Sequence, residues 1–144
     1  MNVDVILDDK GRLVETIRPD AKVLLAVHRM RLQNVGALVV SRDGEHVEGL
    51  LSERDVVRGL TRYGADLLEM GVAAVMSRGV PVCSPDDSLV SVMSQMTRTR
   101  NRHLPVVENG RLCGIVSVGD VVKRRLQDME LETSVLRDAY LSKG

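Results

Sequence analysis

The feature that most limits how this chain can fold is that its sequence is written twice. Ser84-Pro85-Asp86 aligns with Arg18-Pro19-Asp20 at an offset of 66 (84 − 18). At the same offset Leu89, Val92, Met93 and Met96 fall on Val23, Ala26, Val27 and Met30, and Leu104-Pro105-Val106 falls on Leu38-Val39-Val40. Asn109-Gly110 falls on Asp43-Gly44, after which the offset drops to 65 (114 − 49), so the first hairpin is one residue longer. A register kept through helix, strand, turn and second helix marks an internal duplication.

Each copy reads as one small supersecondary unit. Proline disfavours helix in the residue before it, and Pro-Asp suits a helix start. In the first copy apolar residues then recur at 3.6 spacing, predicting a helix to about Arg31. Ala37-Leu38-Val39-Val40 is a short apolar strand, Asp43-Gly44 a hairpin turn, and Val47 to Leu51 the return strand. A second helix follows and ends near Arg62. Residues 3–17 read as an extended lead with a turn around Asp8-Asp9-Lys10-Gly11, and residues 63–74 as a linker. The expected fold is α/β (α+β): two repeats, 1–72 and 73–144, each a three-stranded sheet with two helices. One such unit has too little core to fold alone. The two should therefore pack sheet to sheet about a pseudo-twofold axis, with symmetric clefts between them. After Asp120 one long helix is expected. Val122, Leu126, Met129, Thr133, Leu136 and Tyr140 mark a seam at coiled-coil spacing that can lie on the chain's own domain or on a partner chain, and its reach past the repeat favours a second copy in a homodimer.

Within the repeat one stretch carries chemistry. Gly49-Leu50-Leu51-Ser52-Glu53-Arg54-Asp55 recurs as Gly114-Ile115-Val116-Ser117-Val118-Gly119-Asp120. A strand giving way to a helix leaves free backbone N–H groups, which favour an anion such as phosphate. The Ser hydroxyl joins those donors, and an Asp carboxylate suits a vicinal diol such as a ribose. The same residues also read as a capping box, in which Ser and Asp satisfy only the helix's own first donors.

Composition narrows the classes. The chain has 20 basic and 20 acidic side chains and no net charge, with two Tyr, no Trp and no Phe. Neutrality and the lack of aromatic platforms argue against a nucleic-acid-binding protein, with Arg98, Arg100 and Arg102 the local patch that would serve one. The structural reading of those arginines is a solvated helix end; the functional one is that Arg100 or Arg102 reaches a phosphate in the central cleft. Two cysteines, Cys83 and Cys113, make neither a disulfide framework nor a zinc set. His28, His46 and His103 have no spacing for a metal or a nucleophile set, so neither catalysis nor a metal site is expected. The first residues lack a signal peptide's pattern and no apolar run approaches a membrane span, so a cytoplasmic location is expected.

Taken together these features resemble a CBS-domain pair, the Bateman module, over nearly the whole chain. The most specific parts are the two Gly-x-x-Ser-x-x-Asp stretches, Arg102-His103-Leu104-Pro105-Val106-Val107, and Val75-Met76-Ser77. The resemblance implies a non-catalytic regulatory module that holds AMP, ADP or ATP, or NAD(H) or an S-adenosyl compound. It implies an energy or redox sensor that changes its packing for a downstream protein, whose identity the residues do not specify. The family pattern puts ribose on Asp55 and Asp120 and phosphate near Ser52 and Ser117. It puts adenine against Ile17, Ala37 and Leu38 in one site and against Val82, Cys83, His103 and Pro105 in the other. Many members carry a hydroxyl residue directly before the Asp. Here Arg54 and Gly119 stand there: Arg54 offers a charged phosphate donor and Gly119 a bare N–H, so the two sites are expected to differ. Arg102, beside the adenine strand, is a further phosphate candidate.

Overall fold

The computed structural model of the chain describes residues 1–142. In the first repeat β1 (Thr16–Ile17), α2 (Val23–Gln33), β2 (Ala37–Val40), β3 (Gly49–Ser52) and α3 (Glu53–Tyr63) follow a short helix α1 (Val3–Lys10). In the second, α4 (Leu89–Thr99), β4 (His103–Glu108) and β5 (Arg111–Ser117) lead into the long helix α5 (Val118–Ser142). The first sheet has the order β1-β2-β3, with β1 parallel to β2 and β3 antiparallel. The second has two strands, β4 and β5, rather than the expected three. Its third strand survives as a single parallel bridge, Cys83 to Val106, the counterpart of Ile17 to Val40.

The duplication reaches individual backbone bonds. α2 and α4 are each 11 residues long, and each ends on a left-handed residue, Asn34 (φ 53°) and Arg100 (φ 58°). The Glu53 N–H donates to the Gly36 carbonyl at 3.1 Å, and the Val118 N–H donates to the Arg102 carbonyl at 2.9 Å. The sheets face one another, with Ala37, Val39 and Leu50 of the first packed against Leu112 and Ile115 of the second.

The cores interlock along the chain. Val72 and Met76, which follow the first repeat, are buried with Ile17, Ala26, Met30 and Leu38 in its core. Val3, Ile6 and Leu7 at the start of the chain are buried in the core of the second repeat, among Leu89, Val92, Leu104 and Val116. The two segments dock alike: Val72 N–H donates to the Ala21 carbonyl (2.8 Å), and Val3 N–H to the Asp87 carbonyl (2.9 Å). The sequence division at 72/73 is thus crossed twice by packing. The expected extended lead over 3–17 is corrected here. Residues 3–10 are helical because Val3, Ile6 and Leu7 stand at i, i+3 and i+4 and all three face the core.

That interlocking explains the first residue of the repeated stretch. A Cβ on Gly49 would lie 2.6 Å from the Ser77 carbonyl oxygen, and one on Gly114 would lie 2.6 Å from Leu7. At Gly49 the incoming backbone itself leaves no room for a side chain; at Gly114 the space is taken by the buried Leu7 side chain, which would have to shift. Residues 63–74 are ordered as two short 3-10 turns, Gly64–Glu69 and Val72–Ala74, with Leu67 fully buried against α3 at Gly59. Among the described residues no helix is long and apolar enough to cross a membrane.

Candidate functional site

At both strand-to-helix junctions the Ser and Asp form a capping box. The Asp55 N–H donates to Ser52 Oγ (3.3 Å), and the Ser52 N–H donates to Asp55 Oδ2 (2.9 Å). The Asp120 N–H donates to Ser117 Oγ (3.1 Å), and the Ser117 N–H to Asp120 Oδ2 (2.9 Å). The capping reading of the motif is therefore real in both copies. It does not exhaust either carboxylate, which has about four acceptor positions.

The surroundings of the two carboxylates differ. Asp55 is 7% exposed, and its second oxygen accepts a 2.8 Å bond from Ser77 Oγ. Asp120 is met by the Lys10 ammonium, which donates to Oδ2 at 2.8 Å and to the Ile115 carbonyl at 3.0 Å. Burial alone would raise the Asp120 carboxyl pKa. The bonds from Lys10 and from the Ser117 backbone more than offset it and hold the carboxyl below the ordinary range.

A cleft of about 620 Å³ opens between the repeats beside Asp55. Ser52, Asp55 and Ser77 give it a polar end. Arg54 and Arg58, one turn apart at the start of α3, line it from the first repeat. Arg100 and Arg102, on the turn from α4 to β4, line it from the second. Among the described residues none of these four guanidiniums is in an ion pair, whereas Lys10, Arg12, Arg18, Lys22, Arg42 and Arg124 all are. Arg54 reaches only the Arg100 carbonyl, at 3.5 Å. Glu53 lines the cleft as well, so the four cations face two carboxylates, Glu53 and Asp55, and the surplus positive charge suits an anion. His103 forms part of the wall, and burial, then the charge of Lys10, lowers its pKa. Gly36 keeps the space beside it: a Cβ there would sit 3.3 Å from the imidazole Cε1.

The model of the CBS domain matches residues 12–62 and 72–127. The chain belongs to the CBS-domain family. CBSX3, a mitochondrial CBS domain-containing protein of Arabidopsis thaliana, is 33% identical over 129 residues, which are 87% of this chain and 62% of that protein. The chain thus spans less than two thirds of that relative's length. The CBS-domain protein ATU1752 of Agrobacterium tumefaciens superposes with a TM-score of 0.83 at 41% identity, covering 87% of this chain and 99% of the other. The CBS domain pair of protein MJ0100, solved with 5-methylthioadenosine and S-adenosyl-L-methionine, shares the fold at a TM-score of 0.76 and 19% identity, covering 85% of this chain and 98% of its own.

In this CBS pair the cleft gathers six of the residues singled out from sequence: Ser52, Arg54, Asp55, Arg100, Arg102 and His103. Ser117, Gly119 and Asp120 are not among its lining residues. Most of the expected adenine contacts are not either. Ile17 and Leu38 are buried in the first repeat's core, and Cys83 in the second's. Ala37 lies in the layer between the sheets, Pro105 is buried in β4 opposite Ile115, and Val82 is 42% exposed. The reason is geometric. Inside an all-apolar strand alternate side chains face opposite ways, and nothing in the residue types says which face is the core. Burial, then Asp87, pushes the Cys83 thiol up to about 12, so it stays a thiol rather than a reactive thiolate.

Sequence reasoning assigned no role to Ser77, Arg58, Gly36 or Lys10. Arg58 was findable as the i+4 neighbour of Arg54, and Ser77 stood in the Val75-Met76-Ser77 motif. Lys10 had no signal, because its approach to Asp120 depends on the docking of α1. Asp43, Glu45 and His46 bring potential metal-ligating atoms within 4.8 Å of one another on the exposed first hairpin. Asp43 there already accepts from the Glu45 and His46 N–H groups.

Proposed function

We propose that this CBS pair is a cytoplasmic regulatory module that binds an adenine nucleotide in the cleft beside Asp55 and passes the change in packing to a partner protein. The observation that carries the reading is the set of four arginines outside any ion pair that, with Glu53, line a pocket whose polar end is a buried carboxylate and two hydroxyls. Phosphate sits on Arg54 and Arg102, at the positive end of the α3 dipole. Ribose hydroxyls share Asp55 with the cap, and one takes the place of the Ser77 hydroxyl. The base lies against the His103 wall. The adenosyl compounds held by the MJ0100 pair support a ligand of this class. AMP, ADP, ATP and NAD(H) are the candidates, and the module senses energy or redox state through them. Binding acts only insofar as the ligand prefers one packing of the repeats.

A thermal-shift and calorimetric series with AMP, ATP, NADH and S-adenosylmethionine tests this. At least one should raise the melting temperature, and Arg102→Ala should weaken that ligand by roughly tenfold, the loss of one charge-assisted hydrogen bond. No shift with any of the four would overturn the reading.

A second reading, a protein-interaction module that needs no ligand, is favoured by α5. Leu126, Met129, Leu136 and Tyr140 are 53%, 57%, 67% and 80% exposed along the seam expected from sequence. A second copy covers this face in the homodimer we propose. Sedimentation of a Leu126→Glu, Leu136→Glu variant should then give a monomer that still binds nucleotide. A nucleic-acid role for Arg98, Arg100 and Arg102 would appear instead as salt-dependent retention of RNA or DNA.

A further inference from the structure

Helix α5 outruns the repeat it belongs to. Val121, near its start, is buried in the second repeat's core, whereas every residue from Met129 to Ser142 is exposed. A stretch of that length has little helical stability in water by itself, so it calls for a surface to lie on. The helix is also polarised in charge. Lys123, Arg124 and Arg125 stand at its head, and Asp128, Glu130, Glu132 and Asp138 follow, against a single Arg137 up to Ser142. Beside the head a groove of about 480 Å³ runs between α4 and α5. Val90, 64% exposed, and the half-buried Met93 give it an apolar lining. Arg98 and Arg125 are its charged residues, and no carboxylate lines it. Among the described residues neither is in an ion pair, nor is Lys123, whereas Arg124 pairs with Asp9 and Asp128.

We infer that this groove and the exposed seam next to it receive the distal half of α5 from a second copy of the chain, running antiparallel to the first. The inference rests on the homodimer proposed above and names the surface and the orientation that form it. With Leu126 against the partner's Met129, the seam sets Val122 against the partner's Thr133 and Gly119 against the partner's Leu136. Gly119 is exposed and has no side chain, which leaves room there for a leucine. On one flank of the seam Arg125 then lies beside the partner's Glu132, and on the other Lys123 lies beside the partner's Glu130. Two-fold symmetry makes each contact twice. Charges flanking a seam in this way set the orientation of paired helices. Arg98 of α4 adds a second cation on the Arg125 flank. A parallel pair in register would also join opposite charges, Arg125 with the partner's Glu130 and Glu132 with the partner's Arg137. It would leave the α4 groove bare and set the two acidic distal stretches side by side. The antiparallel pair fills the groove and lays acid on base.

Sedimentation of the full chain over a range of concentrations tests this, because exchanging the flank charges has opposite effects in the two orientations. Arg125→Glu and Glu132→Arg should each raise the dimer dissociation constant by about tenfold, since each turns two attractions into repulsions. Combined in one chain they should restore the dimer, because opposite charges face one another again. All these positions are exposed, so the variants should fold as the parent does. Val90→Glu, at an exposed groove position, should also weaken the dimer by putting an acid where the partner's acidic stretch passes. A double variant no tighter than the single ones, as a parallel pair would give, would overturn the orientation. A dimer that Leu126→Glu, Leu136→Glu dissociates but Val90→Glu leaves intact would overturn the groove and leave the homodimer standing. A chain that is monomeric at every concentration would remove both.

Discussion

The two capping boxes are duplicates in sequence and in backbone bonding, yet one carboxylate faces a cleft and the other holds a lysine. The difference comes from the segments that cross between the repeats. Segment 72–76 delivers the Ser77 hydroxyl to Asp55, and helix α1 delivers the Lys10 ammonium to Asp120. A hydroxyl is a neutral donor that a ribose hydroxyl can replace like for like. An ammonium matches the carboxylate's charge, and displacing it breaks a charge-assisted bond. That bond is only partly shielded, with Lys10 36% and Asp120 25% exposed, so it acts as a latch of modest strength. Duplication preserved the cap; what docks on the cap decides whether the copy is open.

The largest effect should come from the open side. Asp55→Ala leaves the Ser52 N–H and the Ser77 hydroxyl without their acceptor in a nearly buried place. It should cost about 2 kcal/mol in urea unfolding and abolish the nucleotide-induced thermal shift. Asp120→Ala should cost only about 1 kcal/mol, the worth of a cap whose surroundings are wetter. Equal losses in the two variants would break the comparison.

Next is Lys10→Ala, which frees Asp120 without touching its cap. Calorimetric stoichiometry should rise from one nucleotide per chain to two, the second weaker than the first. A value that stays at one would show that something other than the latch closes the second copy.

The smallest effect is in acid. Because the folded state holds the Asp120 carboxyl below its ordinary range, this group stabilises the fold fully above the ordinary carboxyl pKa, about 4. The contribution is lost as pH falls through the lowered value. Lys10→Ala should therefore flatten the decline in melting temperature below about pH 4, because less of the shift remains to be lost. An unchanged acid limb would remove Lys10 as its cause.

How much of this was legible follows from what each residue depends on. The helices α2 and α4, the hairpins, the caps and the inward-facing sheets depend on local pattern repeated at a fixed offset, and the sequence shows that pattern openly. The six cleft residues found in advance all sit at the ends of repeated elements. Helix α1 was misread because Val3-Asp4-Val5-Ile6-Leu7 is too short for periodicity to separate strand from helix. Ile17, Leu38 and Cys83 lie in or beside strands whose apolar runs conceal which face is buried. The contacts of Lys10 and Ser77 were hidden for another reason, although Ser77 itself stood in a motif. Both residues belong to stretches outside the aligned units, and their targets lie 110 and 22 residues away along the chain.

The crossing of α1 into the far repeat has a mechanical consequence. Helix α1 is a staple for the second repeat, and Lys10 is the prong that reaches a carboxylate there. A protease that cuts within α1, or a tether that pulls on it, would loosen the core around Leu104 and Val116 and release the Asp120 carboxylate in one motion. A stress applied at α1 would thus be felt at the base of α5.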